Sequence, residues 1–440
     1  MGSARRAAIA ALEKCRRQGA WSDAVLGSVM DAEGLDARDR ALCSRISYGV
    51  MQQRLYLDYY IDLYCTMHLR RVEPKVLDIL RASAYQLLFM ERIPPSAAVN
   101  EGVALCRSTG CARAAGMVNA VLRRLAENRD ALPQVRAGSR TEELSIKYST
   151  PHELTELLMN EYGDGTEALL QSQNEPAPVM MQVNTCRTDA CALLDSLERE
   201  GVQARLHGYL PDCVVCDAPG SIERLEAFRS GWFYVQDAAA KMSVMALGIL
   251  PGMRILDVCA APGGKSFAAA AAAGGQAEII ACDLHENKLR RIESSAKRLG
   301  FDGIISTAAC DGRVYLPEWE NSFDAVICDV PCSGLGVIRK KPDIRYKPVS
   351  DFDRLPEIQL AILRNAARYV KPGGALMYST CTVLRAENGD IARKFSAENT
   401  DFAPEDFNLP GGTESTAGQV QFLPHIHGTD GFFAAKFRRK

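Results

Sequence analysis

The stretch "LDVCAAPGGKS", residues 256–266, decides the fold of the second half of the chain. An apolar run ends at Cys259, a Pro/Gly loop follows, and a helix is predicted from about Ser266. Gly263 and Gly264 let the backbone approach a ligand closely. "GGKS" invites comparison with a phosphate-binding loop, but GxxxxGK[ST] would need glycine at position 259, where Cys259 stands. The GxGxxG dinucleotide fingerprint is also missing. What remains is a strand–loop–helix suited to a nucleoside-type cofactor. Asp283 lies twenty residues beyond Gly263, at the end of the next apolar run, where a carboxylate can take two ribose hydroxyls. Asp311 closes the third run, "AACDG", and is a candidate acceptor for an adenine amino group. Singly, each aspartate reads as a helix cap or turn residue; three at successive strand ends above a Gly-rich loop point to a cofactor site.

Outward from this loop the pattern is regular. "RILDV", "EIIACD", "GIISTAACD", "FDAVICD" and "GALMYS" alternate with helical stretches, which predicts a parallel, doubly wound α/β sheet over residues 251–440. Ligands of such sheets lie outside the C-terminal strand ends. Upstream, residues 1–135 read as all helix, with apolar positions three and four apart in "KVLDILRASAYQLLFM" and "AAGMVNAVLRRL" and helix starts near Asp36 and Ser96. Residues 131–150 are polar and read as a linker. Residues 136–250 mix linker helices with short strands such as "VMMQVNT" and "CVVCD", a small α+β unit. The chain of 440 residues is 47% hydrophobic and 24% charged, with a formal net charge of −2. Any affinity for nucleic acid must therefore be local. Residues 1–130 hold 19 Lys and Arg against 14 Asp and Glu. Fifteen cysteines, an odd number scattered over the whole length, argue against a secreted disulfide framework and for a cytoplasmic protein. Cys213 and Cys216 form one CxxC without a second, so they read as strand residues and no metal site is expected. The N-terminus has no continuous apolar run of a secretory leader, and no segment is long and apolar enough for a membrane span.

Two further motifs carry chemistry. "CDVPCSGLG", residues 328–336, ends the fourth run, and "YSTCTVLRAEN", residues 378–388, ends the fifth. Adjacent strands would bring Asp329, Cys332 and Cys381 to one rim, while Cys328 sits within the strand as inert filler. Carbon 5 of a pyrimidine is a poor nucleophile until a thiolate adds to carbon 6. The scheme then needs a thiolate, a carboxyl group at ring nitrogen 3 and a second proton-transfer group that removes the carbon-5 proton. The rim supplies one candidate for each.

These three motifs resemble the signatures of S-adenosylmethionine-dependent RNA cytosine-5 methyltransferases. The helical N-terminus, with "AVLGSVM", "DRALCSRISYGV" and "NAVLRRL", resembles the NusB-like RNA-binding domain. Together they are similar to the bacterial 16S rRNA methyltransferase family called RsmB, Sun or Fmu, over nearly the whole chain. The resemblance implies an all-α NusB-like domain, a small α+β middle domain of RRM or ferredoxin-like type and a Rossmann-like class I methyltransferase domain. It implies that Cys259, Ala260, Ala261, Pro262, Gly263, Gly264, Lys265, Asp283, Asp311 and Asp329 hold S-adenosylmethionine, with Asp329 also facing the base. It makes Cys381 the nucleophile, and Cys332 the group that helps release the product. DNA cytosine-5 methyltransferases use the Pro-Cys cysteine as nucleophile, so spacing alone leaves the two roles open. Val330 stands where the family commonly has alanine.

The basic segment 337–347, with Arg339, Lys340, Lys341, Arg345 and Lys347, is where RNA phosphates are expected to pass. Phe432 and Phe433 in the tail are expected in the core. The expected partner is 16S rRNA, naked or in a partly assembled small subunit, and the expected state is a monomer. Two other classes compete: a small-molecule or protein methyltransferase, which has no use for paired Pro-Cys and Thr-Cys motifs, and a non-catalytic NusB-type factor, against which the intact Asp329, Cys332 and Cys381 count.

Overall fold

A computed structural model describes residues 4–18, 23–217 and 220–440. They form two compact units. One comprises residues up to 174 together with 341–347; the other comprises 175–340 and 348–440. Of the segment 136–250, the helices up to Ser172 fall in the first unit, and the strands fall in the second together with the helices Ala190–Arg199 and Ala238–Met245.

The first unit is helical. Helices Ala4–Gln18, Ala37–Gln52, Arg54–Tyr64, Pro74–Phe89, Pro95–Ser108 and Ala115–Asn128 bury Ile46, Leu57, Ile79, Leu80, Val118 and Leu122 in one core. Asp36 caps its helix by accepting from the Asp39 N–H at 2.8 Å. Ser96 is one residue inside its helix, because Pro95 takes the first helical position. The stretch expected as a linker holds the helix Arg140–Lys147, capped by Ser139, whose side chain accepts from Glu142 N at 3.1 Å. Glu142 in turn accepts from the Gly138 N–H at 2.9 Å. A Ser-x-x-Glu start stabilises a helix even where few apolar residues mark its face, which is why composition alone misread it.

Residues 341–347 pack into this helical unit through a turn at Pro342–Tyr346. Arg345 is fully buried. One guanidinium nitrogen donates to the carbonyls of Gln52, Tyr148 and Ser149 at 3.0, 3.2 and 3.2 Å and to Asn174 Oδ1 at 3.0 Å. Burial lowers its pKa to about 10. The Tyr346 hydroxyl donates to Met51 O at 2.7 Å, and the Arg54 guanidinium lies over the Tyr346 ring. Arg345, expected to meet RNA phosphates, is therefore an internal cross-link: its donors are taken by carbonyls that would otherwise be buried unpaired. Lys341 and Lys347 are exposed.

In the second unit a small antiparallel sheet has the order β2-β3-β1-β4, with β1 Val179–Val183, β2 Ala204–Leu206, β3 Cys213–Cys216 and β4 Phe233–Val235. Cys213 and Cys216 are buried in β3, and burial pushes the Cys213 thiol up to about 12. The large sheet follows, with β5 Arg254–Asp257, β6 Glu278–Asp283, β7 Ile305–Ala309, β8 Phe323–Asp329, β9 Val370–Thr380 and β10 Phe402–Pro404, then a two-residue pair, β11 Asn408–Leu409 with β12 Thr413–Glu414, and finally β13 Gln419–Phe422 and β14 Phe432–Arg439. Its order is β10-β14-β9-β8-β5-β6-β7. Strands β5 to β9 are parallel neighbours, and β14 returns antiparallel beside β9. Strand alternation divides the core into two layers: Ile255, Ala325, Ile327 and Met377 face one, and Leu256, Val326, Cys328, Leu376 and Tyr378 the other. Phe432 and Phe433 are buried, one in each layer. The strand order reverses between β5 and β8, so the crevice for a ligand opens at their C-terminal ends. No helix among the described residues is long and apolar enough to cross a membrane.

Arg345→Ala removes a donor shared by several buried acceptors, each costing roughly 1–3 kcal/mol when left unpaired. The variant is expected to lose at least about 3 kcal/mol in urea denaturation while the salt dependence of RNA binding stays unchanged. An unaltered denaturation midpoint, or a shallower salt slope, would refute the internal role.

Candidate active site

The first wall of the site is the loop after β5. Asp257 is fully buried, and its Oδ2 accepts from Ser266 Oγ at 2.7 Å. Its Oδ1 has no partner among the described residues. Burial raises its pKa to about 7. Gly263 has φ 106°, a left-handed conformation, and a Cβ there would stand 2.5 Å from the Phe267 ring, so glycine is required on both counts. The helix Gly264–Ala272 begins immediately after it. Cys259 and Ala261 are half-buried, Ala260 is buried and Pro262 is exposed at the loop tip. Lys265 points to the neighbouring strand end: its Nζ donates to Asp329 Oδ2 at 2.7 Å and lies 4.9 Å from the Phe432 ring centre.

The other expected carboxylates end their strands as anticipated, with different surroundings. Asp283 closes β6, accepts from His285 N at 3.0 Å and pairs with Lys288 at 3.3 Å. Asp311 follows β7 and is clasped by its own near neighbour. Arg313 donates to it through Nε at 2.9 Å, through a terminal nitrogen at 2.6 Å and through its backbone N–H at 3.0 Å. Those bonds hold the Asp311 carboxyl below its usual range. The guanidinium already occupies the oxygens that were expected to meet an adenine amino group.

The opposite wall comes from the ends of β8 and β9. The parallel register sets Asp329 beside Ser379, whose hydroxyl donates to Asp329 Oδ1 at 2.8 Å. The two loops then converge, and Cys332 Sγ and Cys381 Sγ are 3.1 Å apart. The hydrogen bond with Cys381 and burial together push the Cys332 thiol well above its ordinary pKa. Below the sulfurs lies a polar network that the motifs did not reveal. Ser333 Oγ and Thr382 Oγ1, each one residue beyond a cysteine, are 2.6 Å apart. Glu387 Oε2 accepts from Ser333 N at 2.9 Å and Gln359 Nε2 at 2.7 Å. Asn388 accepts from Thr380 Oγ1 at 2.5 Å and donates to Thr382 O at 3.1 Å and Gln421 Oε1 at 2.7 Å. A helix following Cys381 would be the simplest support for Glu387 and Asn388. Glu387 instead ends a short 3-10 turn, Arg385–Glu387, and Asn388 precedes the helix Gly389–Glu398. Only the hydroxyl residues following each cysteine in "PCS" and "TCT" hinted at the network in sequence; Gln359 and Gln421 come from distant segments.

One of the basic residues expected to meet RNA is turned inward, and an exposed neighbour is held in ion pairs. Arg339, with its side chain buried, pairs with Asp430 at 3.2 Å; Lys340 pairs with Asp430 at 2.6 Å and with Asp237 at 3.3 Å. Asp237 also caps the helix Ala238–Met245 through Ala239 N at 2.9 Å. Burial, with the nearby Asp237 charge, raises Asp430 to about 6. Arg339 and Lys340 thus neutralise buried carboxylates, and a guanidinium so enclosed has no free face for a phosphate.

Asp257 gives a pH test of this geometry. Its folded pKa of about 7 stands above the ordinary 3.8, so its contribution to stability is fully present below about pH 4 and is lost as pH rises through 7. The span is worth on the order of 4 kcal/mol at most. Asp257→Asn, which keeps the shape, is expected to gain stability relative to the parent chain between pH 4 and pH 8. A constant difference in unfolding free energy across that range would refute the buried ionisation.

Residues 244–438 match the family described as 16S rRNA methyltransferase RsmB/F, residues 2–127 match the NusB family, and residues 150–223 match the ferredoxin-like domain of RsmF/B-like methyltransferases. The chain is 35% identical to the probable ribosomal RNA small subunit methyltransferase B of Bacillus subtilis, over 100% of this chain and 99% of that one. It is 33% identical to ribosomal RNA small subunit methyltransferase B of Salmonella arizonae, over 92% and 91%. Among solved structures, the protein PH0851 shares the fold with a TM-score of 0.81 at 24% identity, over 99% of this chain and 98% of that one. NSun6 from Pyrococcus horikoshii, solved with SFG, shares it with a TM-score of 0.59 at 24% identity, over 66% and 98%. The NusB domain, the ferredoxin-like domain and the Rossmann-like sheet thus stand in one chain, and the chain belongs to the RsmB/F family of 16S rRNA methyltransferases.

Proposed function

We propose that this chain methylates carbon 5 of a cytosine in 16S rRNA through a transient bond between Cys381 and carbon 6 of the base. The observation that carries the reading is the 3.1 Å approach of Cys332 and Cys381 beside an Asp329 carboxylate that Lys265 and Ser379 hold in place. Family membership supports the rRNA substrate and the methyl transfer. The donor set fits S-adenosylmethionine: a glycine loop with no room for a Cβ at Gly263, a strand-end carboxylate at Asp283, and a buried Asp257 oxygen without a partner among the described residues. When bound there, S-adenosylmethionine supplies an electrophilic methyl group. Gly263 and Gly264 would admit it closely and Asp283 would accept from its ribose hydroxyls.

The protein's own work follows from the rim. Either sulfur can donate in the contact between Cys332 and Cys381; with Cys332 as donor, Cys381 is the sulfur free to act as the nucleophile. Sulfur adds to carbon 6 and the electron pair moves to carbon 5, which takes the methyl group. Asp329, protonated when it meets the base, donates to ring nitrogen 3 and so neutralises the negative charge that addition develops there, and it takes the proton back as the ring is restored. Carbon 5 then carries both a methyl group and its original hydrogen. Cys332, having released its own thiol proton to solvent once Cys381 is bonded to carbon 6, accepts the carbon-5 proton, and the double bond is restored as the carbon–sulfur bond breaks and Cys381 leaves as thiolate. Addition to carbon 6 needs access to the face of the ring, so the cytosine must be unpaired or flipped out. The setting is the cytoplasm, where rRNA is found and thiols stay reduced. Exposed Lys341 and Lys347 remain the candidates for phosphate contact from the basic segment.

Asp283→Ala is expected to weaken S-adenosylmethionine binding at least about tenfold by calorimetry, since a charge-assisted hydrogen bond contributes roughly 1.5–3 kcal/mol; unchanged affinity would remove Asp283 from the site. Cys381→Ala is expected to abolish both methylation and any covalent RNA complex. Cys332→Ala is expected to permit attack and methyl transfer but stall release, leaving an RNA-linked species on denaturing gels that the double variant lacks. Should the Cys381 variant be the one that traps RNA, the roles of the two cysteines are exchanged.

A further inference from the structure

We propose that Glu387 is a positioning residue: its carboxylate latches the two cysteine loops at the separation the reaction needs. The proposal rests on the two-cysteine reading above. Glu387 is 1% exposed, so its oxygens were withdrawn from water for partners inside the protein. Its carboxylate is held by amide donors. Oε2 accepts from the backbone N–H of Ser333 at 2.9 Å and from the Gln359 amide at 2.7 Å. Its backbone carbonyl accepts from the Tyr378 hydroxyl at 2.5 Å. Gln359 also donates to Pro331 O at 3.1 Å. The peptide groups on both sides of Cys332 are thereby fixed, one through Pro331 O and the other through Ser333 N.

The latch crosses to the second cysteine through hydroxyls. Ser333 Oγ meets Thr382 Oγ1 at 2.6 Å, and Thr382 follows Cys381. Asn388, next in sequence to Glu387, holds Thr382 O at 3.1 Å. Glu387–Asn388 therefore grips the Cys332 loop with one side chain and the Cys381 loop with the next. Burying a carboxylate costs free energy, and an aliphatic residue would fill the same volume without that cost. A directional acceptor here serves geometry: two sulfurs on separate loops must act in turn on the same ring, and displacement of a catalytic group by 1 Å can cost about 100-fold in rate.

The test uses the full chain with 16S rRNA and S-adenosylmethionine. Glu387→Gln keeps an acceptor oxygen for Ser333 and Gln359 and places its amide where Oε1 has no partner among the described residues. It is expected to retain kcat within about threefold. Glu387→Ala is expected to lower kcat roughly 100-fold while KM for RNA and for S-adenosylmethionine stays within about twofold. Wild-type kcat in Glu387→Ala would overturn the latch, as would an equal loss in both variants, because charge rather than held shape would then matter. If Glu387→Ala does not fold, Ser333→Ala and Thr382→Val break the hydroxyl bridge above an intact carboxylate. Each should lower kcat, and the double variant should fall no further than the worse single one, as expected of one shared bond; wild-type kcat in both single variants would overturn the proposal. An inactive Cys381→Ala beside a fully active Glu387→Ala rejects the latch alone, whereas an active Cys381→Ala rejects the cysteine reading on which it rests.

Discussion

The register between two parallel strands governs this site. β8 and β9 pair so that Cys328 faces Tyr378 and Asp329 faces Ser379. Because strand side chains alternate faces, a one-residue slip would exchange the two faces of a strand: Cys328 and Tyr378 would leave the core layer they share, and Asp329 would lose its bond from Ser379. With the register held by apolar residues on both layers, the chain leaves β8 and β9 at fixed neighbouring points. Cys332 lies three residues beyond one exit and Cys381 one residue beyond the other. Their 3.1 Å approach is thus a consequence of core packing first and of local loop chemistry second.

The charged groups at the rim follow from the same arrangement. Lys265 starts the helix after β5 and Asp329 ends β8, and β5 and β8 are neighbours. Their ion pair spans the point where strand order reverses, and because the Lys265 ammonium is buried, loss of Asp329 would leave it without its counter-charge. Asp257, one strand-end away, is fully buried, and burial holds its carboxyl well above the ordinary carboxylate range despite the nearby Lys265 charge. Close glycine contacts complete the frame: a Cβ on Gly336 would stand 1.8 Å from Gly431 O, and Gly336 N donates to Cys381 O at 3.0 Å. The loop after Cys332 can reach the loop of Cys381 only because position 336 has no side chain.

Much of this was legible in the sequence, for reasons that also explain the failures. Apolar runs ending in aspartate specify parallel strands and their exits, so Asp283, Asp329, Cys332 and Cys381 could be placed at strand ends from spacing alone. Phe432 and Phe433 read as core because flanking apolar residues continue the strand. Side-chain pairing was not legible. Arg339, Lys340 and Arg345 look like a phosphate track in a list of charges, yet Asp430, Asp237 and a cluster of backbone carbonyls claim them. Those partners lie about 90 to nearly 300 residues away in sequence, beyond any local pattern. The pairing of Asp311 arises at shorter range: an Asp-x-Arg spacing lets the guanidinium fold back on the carboxylate, a possibility that a reading by strand ends ignores. The helix at Arg140–Lys147 was missed because its signal is a cap and not a periodic face.

The inward basic residues bear on what the catalytic loop is for. From Ser333 to Lys340 the chain runs from a carboxylate-held turn, through the Gly336–Gly431 contact, to the Asp430 ion pairs. Each anchor fixes a different part of one segment, and the Arg339 guanidinium is withdrawn from water. A loop meant chiefly to grip RNA would keep its cations free and mobile, since phosphate contacts draw their free energy from counterion release and tolerate imprecise placement. Covalent attack on a ring carbon has the opposite requirement, because its rate depends steeply on the placement of the attacking atom. The segment's cations are spent on rigidity, which is what a thiol held 3.1 Å from its partner needs.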